Sequence, residues 1–271
     1  MKFFIVKSIL FLGQRTFLGR GKIRKVLVNF INFLIPSNNS LKTRFICYVK
    51  NVPFNFYNDN LTGIKVYFGR NEIKEINFIK NNSPDKSIFV DIGANMGLYT
   101  QNIAFLNAPN RNIKIISIEP NPINIDRLKK NIILLKAKIK NIKRLVKIIN
   151  CAVDKNNYKK KLDFSNGLAN GYISYNKSNK NTIKVNCKKL NDIIKEENIK
   201  YITNLKIDIE GHEDRALIPF FKTAKKSLFP KNILLEHSSS KLWKKDLIKF
   251  LFKKGYKIVF KNKSNLALTL N

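Results

Sequence analysis

Residues 89–100 read Phe89-Val90-Asp91-Ile92-Gly93-Ala94-Asn95-Met96-Gly97-Leu98-Tyr99-Thr100, and the pattern changes twice inside that stretch. Ser87 to Ile92 is a short apolar run of the kind that forms a fully buried strand. Gly93 and Gly97 follow, where the backbone can approach a ligand with no Cβ in the way. Leu98, Ile103 and Leu106 then fall at the spacing of a helix packed on a sheet. A strand that breaks into a glycine loop and restarts as a helix is a nucleotide-cofactor turn.

The details of the loop separate two cofactor classes. A dinucleotide fingerprint uses three glycines spaced G-x-G-x-x-G to bring backbone N–H groups to a pyrophosphate. Only two are present, and Asp91 at the strand end would repel a pyrophosphate. S-adenosylmethionine carries a sulfonium, an ammonium and no phosphate, so an acidic loop suits it better than NAD. Lys114 to Ile118 reads as the next buried strand, and Glu119 ends it where a carboxylate can accept two ribose hydroxyls. Pro120 and Pro122 then close the strand and open a helix through Ile125, Leu128 and Ile132.

These residues resemble the FkbM-type methyltransferases, a branch of the S-adenosylmethionine-dependent class I enzymes. Four blocks match in order: Phe89 to Thr100; Ile118-Glu119-Pro120-Asn121-Pro122 with Arg127-Leu128 and Asn131-Ile132; Leu205 to Gly211; and Ile233 to His237 with Leu242-Trp243 and Gly255-Tyr256. Val66-Tyr67-Phe68-Gly69-Arg70 with Glu72 and Glu75 is similar to segments that precede the turn in some members. The resemblance implies an α/β, doubly wound, mostly parallel Rossmann-like sheet of the class I methyltransferase type. It implies cofactor contacts from Asp91, Gly93, Asn95, Gly97, Glu119 and Asn121, with Asn150, Cys151 and Ala152 near the adenine. The implied reaction is O-methylation of a hydroxyl on a sugar, glycolipid, polyketide or similar small metabolite.

Around this core the chain divides into an N-terminal pair of basic amphipathic helices (1–43), a β-meander and helix extension (44–84), and a methyltransferase domain (85–271). Phe45 to Lys50, Val52 to Tyr57 and Leu61 to Phe68 are strand-like, and Glu72 to Lys80 is helical. Leu145 to Val153 reads as the third core strand, Lys189 to Glu197 as a helix and Ile202 to Ile209 as the fourth strand. Alternating strands and helices mean a parallel, doubly wound sheet. Residues 154–188 interrupt this rhythm with antiparallel edge strands around Lys161 to Phe164, Gly171 to Tyr175 and Thr182 to Cys187. Turns at Asn166-Gly167 and Asn170-Gly171 make the insertion a candidate flap over the substrate.

A second chemical centre follows at Lys206-Ile207-Asp208-Ile209-Glu210-Gly211. On a strand Lys206, Asp208 and Glu210 share one face. Charges there call for either a ligand or a local Lys206–Asp208 ion pair. Methyl transfer to an alcohol needs alignment and removal of the acceptor proton. Asp208 or Glu210 serves as base, or the pair binds a divalent cation that acidifies the hydroxyl. His212 and His237 are the only histidines, and His237, expected at the carboxyl end of the fifth strand, is the third catalytic candidate. The residues require no metal.

Composition limits the other classes. The 271 residues are 44% hydrophobic and 26% charged, enough for a folded domain. Fifty-two Lys and Arg against 18 Asp and Glu leave a net charge of +34. Lysine is spread among asparagine and isoleucine along the whole chain, as A+T-rich coding would produce, and no nucleic-acid motif accompanies it. The expected partner is a small-molecule, glycan or glycolipid acceptor rather than a specific nucleic acid, with a nucleic-acid (RNA) methyltransferase or a non-catalytic membrane-surface scaffold as the alternative readings. The cysteines Cys47, Cys151 and Cys187 form neither a disulfide framework nor a zinc knuckle, which fits a reducing cytoplasm. Lys2, Lys7 and Arg15 interrupt the apolar N-terminal stretch short of a membrane span, and no small-residue cleavage site follows it. With Lys22, Arg24 and Lys25 beside Ile23, Val26, Leu27, Phe30, Ile31 and Leu34, these helices either cap the domain, join two copies as a homodimer, or touch an anionic membrane at its inner face.

Overall fold

Apolar residues at helical spacing build the first two elements, α1 (Lys2–Arg15) and α2 (Gly21–Leu34). The computed structural model describes residues 1–36, 45–58, 64, 66–69, 72–107, 112–163, 172–173 and 182–271. Val6 and Leu10 of α1 and Val28 and Ile31 of α2 turn inward onto a hairpin, β1 (Ile46–Val49) and β2 (Val52–Asn55). Lys50 and Asn51 close that hairpin with φ of 50° and 73°, the mirror-image turn that matches strand twist. Gln14 fastens α1 to it, donating to the carbonyls of Tyr48 (2.6 Å) and Tyr67 (2.8 Å).

The strand expected over Leu61 to Phe68 does not form among the described residues of that segment. Ile64, Val66 and Tyr67 are helical, and Ile64, Tyr67 and Phe68 are all buried at i, i+3 and i+4. The Tyr67 hydroxyl donates to the Asn55 carbonyl (2.9 Å) and accepts from the Tyr57 N–H (3.0 Å), which pins a helical turn beside the hairpin. Among its described residues the extension holds a hairpin and a turn of helix, with no third strand.

The main domain alternates as predicted: α3 (Ile73–Asn81), β3 (Ser87–Ile92), α4 (Leu98–Asn107), β4 (Ile113–Ile118), α5 (Pro122–Ile133), α6 (Ile142–Leu145) and β5 (Val146–Ile149). After β6 (Ala152–Val153), β7 (Tyr158–Asp163), β8 (Tyr172–Ile173) and β9 (Thr182–Lys188) come α7 (Leu190–Glu196), β10 (Asn204–Ile207), α8 (Glu213–Thr223), β11 (Asn232–Glu236), α9 (Leu247–Lys253), β12 (Tyr256–Lys261) and β13 (Asn265–Leu270). The central sheet has the order β12-β13-β11-β10-β3-β4-β5, with β13 antiparallel to both neighbours. Its winding reverses between β3 and β10, the switch point where ligands sit in such sheets.

Two stretches fold differently from the sequence expectation. The run Leu145 to Val153 is not one strand, because Asn150 donates to the carbonyls of Glu119 and Pro120 (both 3.0 Å) and turns the chain out of the sheet. Ala152–Val153 then pair with β9. The insertion also builds a separate sheet, β6-β9-β7-β8, instead of extending the edge of the main one. Its two proposed Asn-Gly turns lie outside the described residues.

Strand alternation distributes the core. Val90, Ile116, Leu205 and Ile233 face α7, α8 and α9, whereas Phe89, Ile115 and Leu234 face α3, α4 and α5. Each such side chain contributes about 1.5–3 kcal/mol, so both faces are held strongly and the carboxyl ends of the strands are fixed in place. No helix among the described residues is long and apolar enough to cross a membrane.

Candidate active site

The loop after β3 is shaped by two close approaches. A Cβ on Gly93 (φ 76°) would lie 1.9 Å from the Asp208 carbonyl oxygen, and one on Gly97 (φ 93°) would lie 2.4 Å from Leu128 Cδ1. The first glycine thus lets β3 and β10 close at the switch point, and the second lets the loop settle on α5. Gly93 and Ala94 donate to the Ile118 carbonyl at 2.9 and 3.0 Å. Glu119 holds the other side of the loop: Oε2 accepts from Asn95 N–H and Oε1 from Asn121 N–H, both at 2.9 Å. Burial nevertheless pushes the Glu119 carboxyl above its ordinary range, ahead of these stabilising contacts. Asn121 caps α5 by accepting from Ile123 N–H (2.9 Å).

Beneath the loop runs a polar stripe. Ser117, Asp91 and Lys206 stand at one level on adjacent strands, set by the pairings Asp91–Ser117 and Lys206–Asp91. Thr100 bridges the first two, donating to Asp91 Oδ2 at 2.7 Å and lying 2.6 Å from Ser117 Oγ. Lys206 Nζ donates to the Gly93 carbonyl (3.0 Å) and lies 3.7 Å from both Asp91 Oδ1 and Asp208 Oδ2. Burial alone would lower its pKa, but Asp208, Asp91, Glu72 and Glu119 together hold the ammonium above the usual lysine range. The local ion pair read from the sequence is present and is shared with Asp91. Asp91 itself is fully buried, so it acts on any ligand through the loop and not as its exposed rim.

The strand that carries Lys206 ends at Ile207, two residues sooner than the sequence suggested. Glu213, buried at the start of α8, accepts from Ile209 N–H (2.9 Å), Gly211 N–H (3.2 Å) and Trp243 Nε1 (2.7 Å) and bends the chain. Glu210 therefore does not share a strand face with Lys206 and Asp208. It takes the left-handed conformation, φ 56°, which a side chain rarely adopts without compensation. Partial burial first, then the charges of Asp208, Glu236 and Glu213, raise its carboxyl to about 7. Glu236 ends β11 with Oε2 buried and unpartnered, while Oε1 accepts from Ser238 N–H (2.7 Å).

Four of the parallel strands, β3, β4, β10 and β11, thus end within one residue of a carboxylate: Asp91, Glu119, Asp208 and Glu236. Glu72, bonded to Tyr99, and Glu75 join the same electrostatic group. A chain with 18 acidic residues in all gathers eight of them here. The profile of the methyltransferase FkbM domain matches residues 91–258, more than half of the chain and all of these strand ends. The chain belongs to the FkbM methyltransferase family.

No curated protein matches by sequence. Among solved structures, the FkbM methyltransferase of Methylobacillus flagellatus KT shares 16% identity with a TM-score of 0.47, over 70% of this chain and 44% of that one. A precorrin-6y C5,15-methyltransferase of Geobacter metallireducens GS-15 aligns at 15% and 0.40, over 73% and 86%. A human methyltransferase 10 domain containing protein aligns at 15% and 0.44, over 74% and 81%.

In this FkbM domain not every sequence candidate reaches the acidic group. His237 follows β11, but its Nε2 lies 3.1 Å from the Asn262 carbonyl, in the turn between β12 and β13. His212 precedes α8, its carbonyl accepting from Arg215 and Ala216, and burial followed by the Arg215 charge pushes its imidazole below the usual range. Cys151 and Ala152 are buried just after the Asn150 turn. Among the described residues no group of three or more His, Cys, Asp or Glu side chains is arranged to hold a metal ion. Glu72, Glu75, Glu213 and Glu236 join the acidic group without having been expected there. Glu236 carried a signal, a carboxylate closing an apolar run like Asp91 and Glu119; Glu213 carried none beyond its place after Gly211-His212.

Proposed function

We propose that this methyltransferase uses S-adenosylmethionine and methylates a hydroxyl on a sugar, glycolipid or other small metabolite. The observation that carries this reading is the acidic group at the switch point of a strongly basic chain. A dinucleotide pyrophosphate or a nucleic-acid backbone would meet like charge there, and a sulfonium and ammonium would meet opposite charge. The loop's own geometry supports this reading: Gly93 and Gly97 let it close on Asp208 and Leu128, and the N–H groups of Asn95 and Asn121 are held by Glu119, so the loop keeps one shape for a ligand. Bound there, S-adenosylmethionine supplies an electrophilic methyl group.

The protein's share is positioning and proton removal. Lys206 holds the Gly93 carbonyl and Asp208 together, so the loop and the end of β10 keep one spacing. Glu210 reaches its carboxyl into partly open space with a pKa of about 7, so near neutrality half of it is the base form that an acceptor hydroxyl needs. In this reading Asp208, whose side chain is 39% exposed, accepts a hydrogen bond from a neighbouring hydroxyl.

Calorimetric titration with S-adenosylmethionine and, separately, NADH tests the cofactor assignment, in salt that screens polyanion contacts. Saturable binding of the first alone, weakened in Glu119→Ala, is the expected result. Binding of NADH, or of neither, would sink it. With binding established, methyl transfer to hydroxylated glycans and glycolipids, and its absence with RNA, tests the acceptor class.

A further inference from the structure

Exposed apolar side chains gather at one end of the molecule. Among the described residues, eighteen large hydrophobic side chains stand exposed, and ten belong to residues 1–36. The two helices already have an inward partner, since Val6, Leu10, Val28 and Ile31 are buried against the hairpin. The outward residues are therefore surplus to the fold. Phe4 (76% exposed) and Phe11 (53%) lie seven residues apart on the outer side of α1, and Val26 (66%) and Phe33 (78%) repeat that spacing on α2. Phe17, in the short turn between the helices, is 67% exposed.

Cations accompany these rings. Residues 1–36 carry seven Lys and Arg, and no Asp or Glu occurs before Asp59. The Arg15 guanidinium lies 3.7 Å from the Phe11 ring centroid, so charge and aromatic face are presented together. We propose that the outer face of α1, Phe17 and α2 docks on an anionic phospholipid bilayer, with the phenylalanines at the headgroup boundary and the cations on lipid phosphates. A second copy would bring seven cations against seven. A polyanion such as RNA would match the charge but leave the aliphatic Val26 and Leu12 without a partner. With no helix among the described residues long and apolar enough to span, the proposed docking is flat on the surface.

The docking face lies outside the methyltransferase site, so its test does not depend on cofactor or acceptor. The full chain is sedimented with phosphatidylglycerol or phosphatidylcholine vesicles, at low salt and at salt that shortens the Debye length to about 3 Å. A charge of +34 guarantees low-salt adhesion to anionic vesicles, so the salt-resistant fraction is the readout. Phosphatidylglycerol binding should persist at high salt for the parent and fall at least about tenfold for Phe4→Ser/Phe11→Ser/Phe17→Ser/Phe33→Ser. Should that variant fold poorly, Phe33→Trp takes its place, its fluorescence expected to be quenched by brominated phosphatidylglycerol. Equal binding by variant and parent, complete loss of parent binding at high salt, full displacement by double-stranded RNA, phenylalanine-dependent dimers in sedimentation velocity, or an unquenched Trp would each overturn the proposal.

Discussion

At the amino end of the central sheet Asn204 and Asn232 face each other across β10 and β11. Asn232 Nδ2 donates to Asn204 Oδ1 (3.1 Å), and Asn204 Nδ2 donates to the Asn82 carbonyl (3.0 Å) and Ser83 Oγ (2.9 Å). Two residues along the same strand face, at the carboxyl end, Lys206 stands between Asp91 and Asp208. Both ends bury polar groups, but at the first Asn204 and Asn232 are neutral amides that satisfy one another and backbone carbonyls, and the unpartnered Ser87 Oγ beside the left-handed Lys86 (φ 60°) is also neutral. The second uses charges, left-handed residues at Asn95 and Glu210, and a carboxylate oxygen on Glu236 with no partner. Neutral satisfied groups hold a fold at little cost, whereas strain and unsatisfied charge persist where a ligand is to complete them.

The comparison breaks if mutations at the two ends have the same consequences. The largest effect is expected for Glu210→Gln: methyl transfer should fall about 10²–10⁴-fold, and the rise in rate on titrating through about 7 should vanish while cofactor binding stays. The same variant sharpens the stability argument. Glu210 has a folded pKa above its unfolded value, so protonation favours the folded state; that contribution is full below the unfolded pKa of 4.5 and lost as pH rises through about 7. Urea midpoints of the parent should decline across this window more steeply than those of Glu210→Gln. Lys206→Met comes next, with a stability loss of about 3–5 kcal/mol from the buried charge left on Asp91, partly recovered by adding Asp91→Asn. Gly93→Ala follows, expected to cost about 1–3 kcal/mol in strain and to weaken calorimetric S-adenosylmethionine binding about tenfold or more by pushing Asp208 away. The smallest effect is at the amino end: Asn204→Ala should lose about 1–3 kcal/mol in a melt and leave the cofactor Kd unchanged. A changed Kd there would erase the distinction.

Local signals made much of this legible. The span Ser87 to Ile92 is the observed β3 to the residue, and Asn121-Pro122 marks the start of α5 by cap and proline. Features set by distant residues were not. The sequence around Lys206 alternates smoothly to Glu210, and only Glu213, capturing two amides from the next helix, stops the strand at Ile207. The pairing of Lys206 with Asp91 depends on the register of strands more than a hundred residues apart. Asn150 diverts a continuous apolar run because two carbonyls after β4 happen to face it. At residues 64–68 helical and alternating spacings coexist, and Tyr67's hydroxyl bonds decide between them.

The position of β13 has a consequence for the order in which the molecule can be assembled. It follows β12 in the chain yet lies between β11 and β12, with Leu266, Ala267 and Leu268 fully buried. Until residue 270 has been synthesised, β11 is an open edge of apolar residues and β12 has no neighbour in the sheet. The nascent domain therefore waits with an unpaired strand exposed, the state most prone to pair with another chain. Closure comes in one late step, when a strand of six residues completes two ladders at once.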